Sequence, residues 1–301
     1  SVVSSVSPQK LNGNYNETSN RNQSKLHALS RDFFFKLGYR YPPMGKPNQT
    51  NLKPILEAAF LDYHHELESR LDPISLVYRY PNPKDREVVA FLVSLLSYGN
   101  VQTILKSGSR MLEPLGNSPF QYLTSESPLN LWSDFKHRFN TGEDIEIITH
   151  WLRCVLREHR SIENFFLHTN PNSTAPMKQK LSNFVRGLWS QPLSKTLNET
   201  LNRRQRNLKY LLSDPEQGSA CKRLNMFLRW VVRPQDGVDL GLWKRVSPSE
   251  LMLPIDTHLL QTLKKLRWIK SDQANWKTVE KATQRLREIS NTDPMKYDFA
   301  L

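Results

Sequence analysis

From Pro54 onward, the apolar residues of this chain recur three and four positions apart in one segment after another. That is the repeat of a helix with one face in a core. The spacing predicts helices over 54–70, 85–98, 101–112, 143–158, 181–189 and 201–212, several opened by Pro, Asp or Ser. No sustained two-residue alternation argues for a sheet. The expected fold class is therefore all-α. Residues 168–178, polar and holding Pro171 and Pro176, read as a loop. No internal repeat is evident.

The chain ahead of this region reads differently. Residues 1–24 are rich in Ser and Asn and read as disordered, or as the remnant of an organellar targeting segment. Residues 25–40, with Phe33, Phe34 and Phe35, are expected to form a short helix, and the proline-rich stretch 41–47 a linker. The division is thus a poorly ordered extension over 1–50 and a helical domain over 51–301. Asp298-Phe299-Ala300-Leu301 reads as the inside of an apolar helix, so the domain is expected to continue past it. A chain of 301 residues can bury a good core in one domain or two subdomains.

The net charge of +13 favours a polyanionic partner. Charge alone fits DNA, RNA or an anionic membrane surface. No apolar run is long enough to cross a bilayer. Two cysteines, Cys154 and Cys221, cannot make a four-cysteine zinc or iron–sulfur site. His64 and His65 are neighbours on a helix and point about 100° apart, which suits surface residues better than metal ligands. No metal and no cofactor is expected.

Two segments carry candidate chemistry. Over residues 220–233, Leu224, Phe227, Leu228 and Val231 fall on one side of a helix, and Lys222, Asn225, Met226, Arg229 and Arg233 on the other. Such a helix is anchored by its apolar half and shows its cations outward. Gly218 and Ser219 precede it as chain-reversal and capping residues. Lys222 then lies in the first turn, where the helix dipole disfavours a positive charge, beside Arg223. It is either a nucleophile or one cation of a solvated face. Cys221 beside it is either a thiol nucleophile or a small buried residue.

The second segment is Pro254-Ile255-Asp256-Thr257-His258, followed by Leu259, Leu263 and Leu266 at helical spacing. Asp256 is a natural N-cap. A capping carboxylate is fixed in place, and it could also stabilise positive charge developing on a sugar ring. Arg203-Arg204-Gln205-Arg206 reads as a phosphate contact or a solvated helix face.

Together these segments resemble the helix-hairpin-helix DNA glycosylase superfamily, whose aspartate sits in a Pro-[Val/Ile]-Asp-Thr-His motif. Phe91-Leu92-Val93-Ser94-Leu95-Leu96-Ser97 is similar to the superfamily's helix ending in Leu-Leu-Ser. Over roughly residues 53–301 the chain is most similar to an uncharacterised, mostly bacterial family of unknown function. The matching motifs are Asp85-Arg86-Glu87, Ser97-Tyr98-Gly99-Asn100, Gly218 to Arg223, Asp239-Leu240-Gly241-Leu242-Trp243, Asp256-Thr257-His258 and the segment from Lys296 to Leu301. The glycine-rich hairpin of the common glycosylases is replaced by Gly218-Ser219-Ala220-Cys221-Lys222. The spacing from Lys222 to Asp256 is wide, as in the archaeal 8-oxoguanine glycosylase branch.

The resemblance implies a two-subdomain helical fold with an atypical hairpin. It implies a base-excision glycosylase, with or without AP-lyase activity, that flips a damaged base, best an oxidised purine. Lys222 and Asp256 would be the catalytic pair. Double-stranded DNA would be held by Ser97, Asn100, Gln102, Gly218, Ser219, Arg223, Arg229, Arg233 and His258, with Asn100 and Gln102 filling the gap in the stack or simply serving as turn residues. Trp230 and Trp243 would wall the base pocket, or pack in the core. The protein would act as a monomer, away from membranes, on the nucleoid in the cytoplasm or in a eukaryotic nucleus or organelle. The alternative is a DNA- or RNA-binding protein that keeps the fold without the catalysis.

Overall fold

A computed structural model describes residues 49–66 and 72–301. The expectations for residues 1–48, and the side chains of His64 and His65, lie outside the described residues. Gln49–Leu301 forms one compact unit. Its helices are α1 (Gln49–Glu66), α2 (Pro83–Leu96), α3 (Val101–Leu112), α4 (Pro119–Thr124), α5 (Gly142–His159), α6 (Ile162–His168), α7 (Met177–Trp189), α8 (Lys195–Leu211), α9 (Lys222–Val232), α10 (Thr257–Lys265) and α11 (Trp276–Ile289). Short 3-10 turns cover Pro73–Arg79, Pro215–Gln217 and Pro294–Ala300, among others. The described strands are β1 (Lys136–His137) and β2 (Asn140–Thr141), an antiparallel hairpin pairing Lys136 with Thr141 and His137 with Asn140. The all-α class holds. Among the described residues no helix is long and apolar enough to cross a membrane.

The caps explain where the helices begin. Asn82, Asn100, Ser161, Ser194, Asp256 and Asn275 each accept a backbone N–H of the turn they open, satisfying a donor that the helix itself cannot. Helix α9 has no such cap: Cys221, the residue before it, has a left-handed backbone (φ 46°) and makes no side-chain cap bond.

Helix α2 is the centre of the core, with every residue from Val88 to Leu96 buried. Phe91 meets Phe184 of α7 and Phe227 of α9 edge-on, at ring distances of 6.1 and 5.3 Å, the offset geometry aromatic pairs favour. Helix α9 packs along α2. The last segment, expected to be the interior of an apolar helix, is instead the 3-10 turn Pro294–Ala300. It is tied to α1 where Glu57 accepts Lys296 Nζ at 2.7 Å and the Tyr297 hydroxyl at 2.6 Å.

Candidate functional site

Helix α9 does not show its arginines outward. Arg229 is 3 % and Arg233 4 % exposed. Arg229 Nη1 donates to Asp298 at 2.6 Å and Nη2 to Asp239 at 3.3 Å. Arg233 grips Asp293 at 3.0 Å, Asp236 at 3.1 Å and also Asp239. Two guanidiniums inside the protein require such partners, because an unpaired buried charge costs several kcal/mol. The expected DNA contacts at Arg229 and Arg233 are therefore corrected to an internal ion network. Helical periodicity separates the faces of α9, but it does not reveal that the segment after the helix folds over the polar one. That segment, 234–243, donates from Leu240 N to the Trp230 carbonyl at 2.7 Å and from Trp243 N to the Val231 carbonyl at 2.8 Å. The two bonds satisfy carbonyls in the last turn of α9. Gly241 makes the fold-back feasible: its φ is +57°, and a Cβ there would stand 2.8 Å from Gln235 N.

The two tryptophans are corrected as well. Trp230 is 1 % and Trp243 2 % exposed. The Trp243 ring packs on Phe166 and Phe227, and its Nε1 donates to Glu87 at 2.7 Å. Neither side chain is available to stack on an extruded base. Glu87 also accepts Ile162 N and Glu163 N, the first amides of α6. Burial pushes its carboxyl above the ordinary range against these three bonds.

Lys222 opens α9 and is partly exposed. Its Nζ lies 3.4 Å from the Ser97 carbonyl, and no carboxylate pairs with it among the described residues. Ser97 itself is buried and donates its hydroxyl back to the Val93 carbonyl at 2.9 Å. Its side chain is not a DNA contact, because it closes the end of α2. Arg223 is 8 % exposed and lies between two rings, 4.2 Å from Tyr210 and 5.2 Å from Tyr98. Burial lowers its pKa. It braces aromatic side chains more than it faces solvent. Asn225 is buried too, holding the Ala220 carbonyl at 3.0 Å.

Cys221 takes the role of a small buried residue. It is 2 % exposed, its thiol donates to the Ser213 carbonyl at 3.1 Å, and burial pushes its pKa up to about 11. A thiol so held stays protonated at neutral pH and is no nucleophile. Before it, Gly218 (φ 86°) ends the Pro215–Gln217 turn and is exposed, while Ser219 accepts Cys221 N at 3.1 Å and bridges to Asn275.

Asp256 caps α10, accepting Leu259 N at 2.8 Å, and is partly exposed. It forms no ion pair with Lys222 among the described residues. Asp298, the partner of Arg229, is mostly buried, and its pKa is raised by that burial and by the nearby Asp256 carboxylate. His258 is exposed in the first turn of α10, and Asn100 and Gln102 are exposed at the start of α3, where Asn100 Oδ1 accepts Gln102 N at 2.9 Å. Of the basic cluster on α8, Arg203 and Arg204 are engaged by Glu143 and Asp144, and Arg206 is exposed.

One feature near Lys222 escaped the sequence reading. The residue after Ser97, Tyr98, stacks against Phe139 at the tip of the β1–β2 hairpin and against Tyr210 at the end of α8. The hairpin has only two residues per strand, too short for an alternation signal. Two surface clefts, of about 400 and 320 Å³, lie elsewhere, and neither is lined by Lys222 or Asp256.

Residues 72–301 match the profile of a family described as protein of unknown function (DUF2400). The chain belongs to that family. Its match begins at Asp72, the cap of the first 3-10 turn, and runs through Lys222, the Arg229 network and Asp256. No curated protein and no solved structure matches the chain.

Proposed function

We propose that this member of the DUF2400 family is a DNA base-excision glycosylase with Lys222 as its nucleophile. One observation carries the reading. Of the cations on α9 and its C-cap, Arg229 and Arg233 are spent on internal carboxylates and Arg223 on two aromatic rings, whereas Lys222 is partly exposed and, among the described residues, pairs with no carboxylate. It stands at a helix start with no side-chain cap, where the backbone amides and the dipole favour an anion such as a DNA phosphate. Gly218 and Ser219 lead into that turn. The net charge of +13 supplies attraction for the backbone of a duplex.

In the reaction, the lone pair of Lys222 Nζ attacks C1′ of the deoxyribose. The bond from C1′ to the base breaks, and its electron pair leaves on the base, which takes up a proton. Opening of the C1′–O4′ bond then yields an imine, and proton loss from C2′ expels the 3′ phosphate. Asp256, fixed as a cap, stabilises positive charge on the sugar and assists the proton transfers. An oxidised purine is the favoured base, and its pocket is walled by residues other than Trp230 and Trp243.

A second reading, a nucleic-acid binder without catalysis, is favoured by the position of the two clefts away from Lys222. Borohydride reduction on duplexes carrying 8-oxoguanine, uracil, an alkylpurine or an abasic site separates the two. A covalent adduct is expected with wild type and not with Lys222→Gln. Equal trapping by the variant rejects the assignment. Binding without any adduct selects the second reading.

A further inference from the structure

Large apolar side chains are rarely left in water without a reason when they cluster. Phe139 is 44 % and Tyr210 42 % exposed, and their rings touch, 4.7 Å apart at 74°. Both rest on the half-buried Tyr98, at 5.6 and 5.1 Å. The support beneath is rigid. The Tyr98 hydroxyl donates to Asn140 Oδ1 at 2.5 Å, and the His137 carbonyl lies 3.2 Å from it. The Phe139 carbonyl accepts Asn207 Nδ2 at 2.7 Å and Arg204 Nη2 at 3.1 Å. Just before it, Arg138 adopts φ 56°, a left-handed conformation that a side chain such as arginine rarely takes. Gly99 gives Arg138 room, since a Cβ there would stand 2.9 Å from its guanidinium. A tip fixed at both ends by hydrogen bonds, with its ring held outward, is built for display.

The surroundings are cationic. Lys136, Arg138 and Lys209 are exposed beside the two rings in sequence, and Arg206 lies one helical turn before Tyr210 on α8. The buried Arg223 guanidinium sits against the inner side of Tyr210. Lys222, its neighbour on α9, reaches the carbonyl of the residue preceding Tyr98.

We propose that Phe139 and Tyr210 form a stacking platform for an unpaired base of a DNA strand, placed beside Lys222. Aromatic rings accept the face of any base, and the flanking cations suit the phosphates on either side of it. The site therefore takes DNA opened at a lesion or already single-stranded. The inference rests on DNA being the partner, but it does not need Lys222 to be catalytic.

A short single-stranded oligodeoxynucleotide with one central 2-aminopurine tests it, because 2-aminopurine fluorescence falls when the base stacks. Titration of the full chain should quench the signal. Phe139→Ala should weaken binding at least about fivefold and remove most of the quenching. Phe139→Trp should retain both, and so should Tyr210→Phe. The exposed position of Phe139 lets the alanine variant fold, which a melting curve checks. Equal affinity and quenching in wild type and Phe139→Ala overturn the proposal. So does tighter binding of the matching RNA, or a dimer of the chain that Phe139→Ala dissolves while DNA binding is unchanged. The trapping experiment reads out independently. Loss of trapping with quenching intact removes the enzyme and keeps the platform. Trapping with no effect of Phe139→Ala removes the platform alone.

Discussion

Replacing Arg229 by methionine should unfold the protein more readily instead of weakening the proposed binding of DNA. The side chain is 3 % exposed, and it carries the positive charge between the buried Asp239 and the mostly buried Asp298. Methionine fills a similar volume but leaves both carboxylates short of a partner. Arg233 still reaches Asp239, so Asp298 bears most of the loss. Removing one member of a buried pair costs about 3–5 kcal/mol. At about 2–4 °C per kcal/mol for a domain of this size, the melting temperature should fall by roughly 6–20 °C. Urea titration should show a lower midpoint with an unchanged slope. The deficit should narrow as pH falls, because protonation removes the charge that lost its partner. Adding Asp298→Asn should recover part of the loss, and a double-mutant cycle measures how much. DNA affinity of the folded fraction, and its dependence on salt, should be those of wild type. A variant within about 0.5 kcal/mol of wild-type stability, with a salt slope flatter by about one unit, would refute the internal network and return Arg229 to the surface.

Asp256→Asn should melt close to wild type, since an amide still caps α10, while single-turnover base excision falls steeply; unchanged excision reduces Asp256 to a cap. Cys221 gives a pH prediction. Its folded value, raised to about 11 from 9.0, means that the stability it contributes is full below pH 9.0 and is lost as pH rises through about 11, up to about 2–3 kcal/mol. Urea midpoints of wild type against Cys221→Ala, taken on either side of that window, should converge at the alkaline end. Trp243→Phe keeps the aromatic packing but removes the donor to Glu87, and should cost about 1–3 kcal/mol by thermal melting. A neutral result would mean that the two amides of α6 satisfy Glu87 by themselves.

The starts and stops of the helices were legible where a cap or a proline marks them. Val101–Leu112 is the span the apolar spacing gives, because Asn100 caps it. Helix α8 begins at Lys195, well before the expected 201, since Leu197 is the lone apolar residue over 195–200 and only Ser194 announces the start. Helices α4 and α6 are too short to show a repeat. At the site, Asp256 could be read as a cap because capping is local chemistry. Arg229 and Arg233 were misplaced because their partners lie in Asp236, Asp239, Asp293 and Asp298, and a repeat along one helix carries no information about what folds across it. Phe139 and Tyr210 meet only through the tertiary fold, so no pattern along the chain joins them.

The ties between Glu57 and the last 3-10 turn also constrain synthesis. Tyr297 and Glu57 are 240 positions apart, and Asp298 and Arg229 are 69 apart. A chain emerging from the ribosome can lay α9 against α2, but Arg229 lacks the Asp298 counter-charge until residue 298 has left the ribosome. Domains fold as units, and this one cannot close its charge balance early. A ribosome paused after α11 should therefore carry a loosened, protease-sensitive bundle, and emergence of the segment Pro294–Ala300 should be the event that locks it.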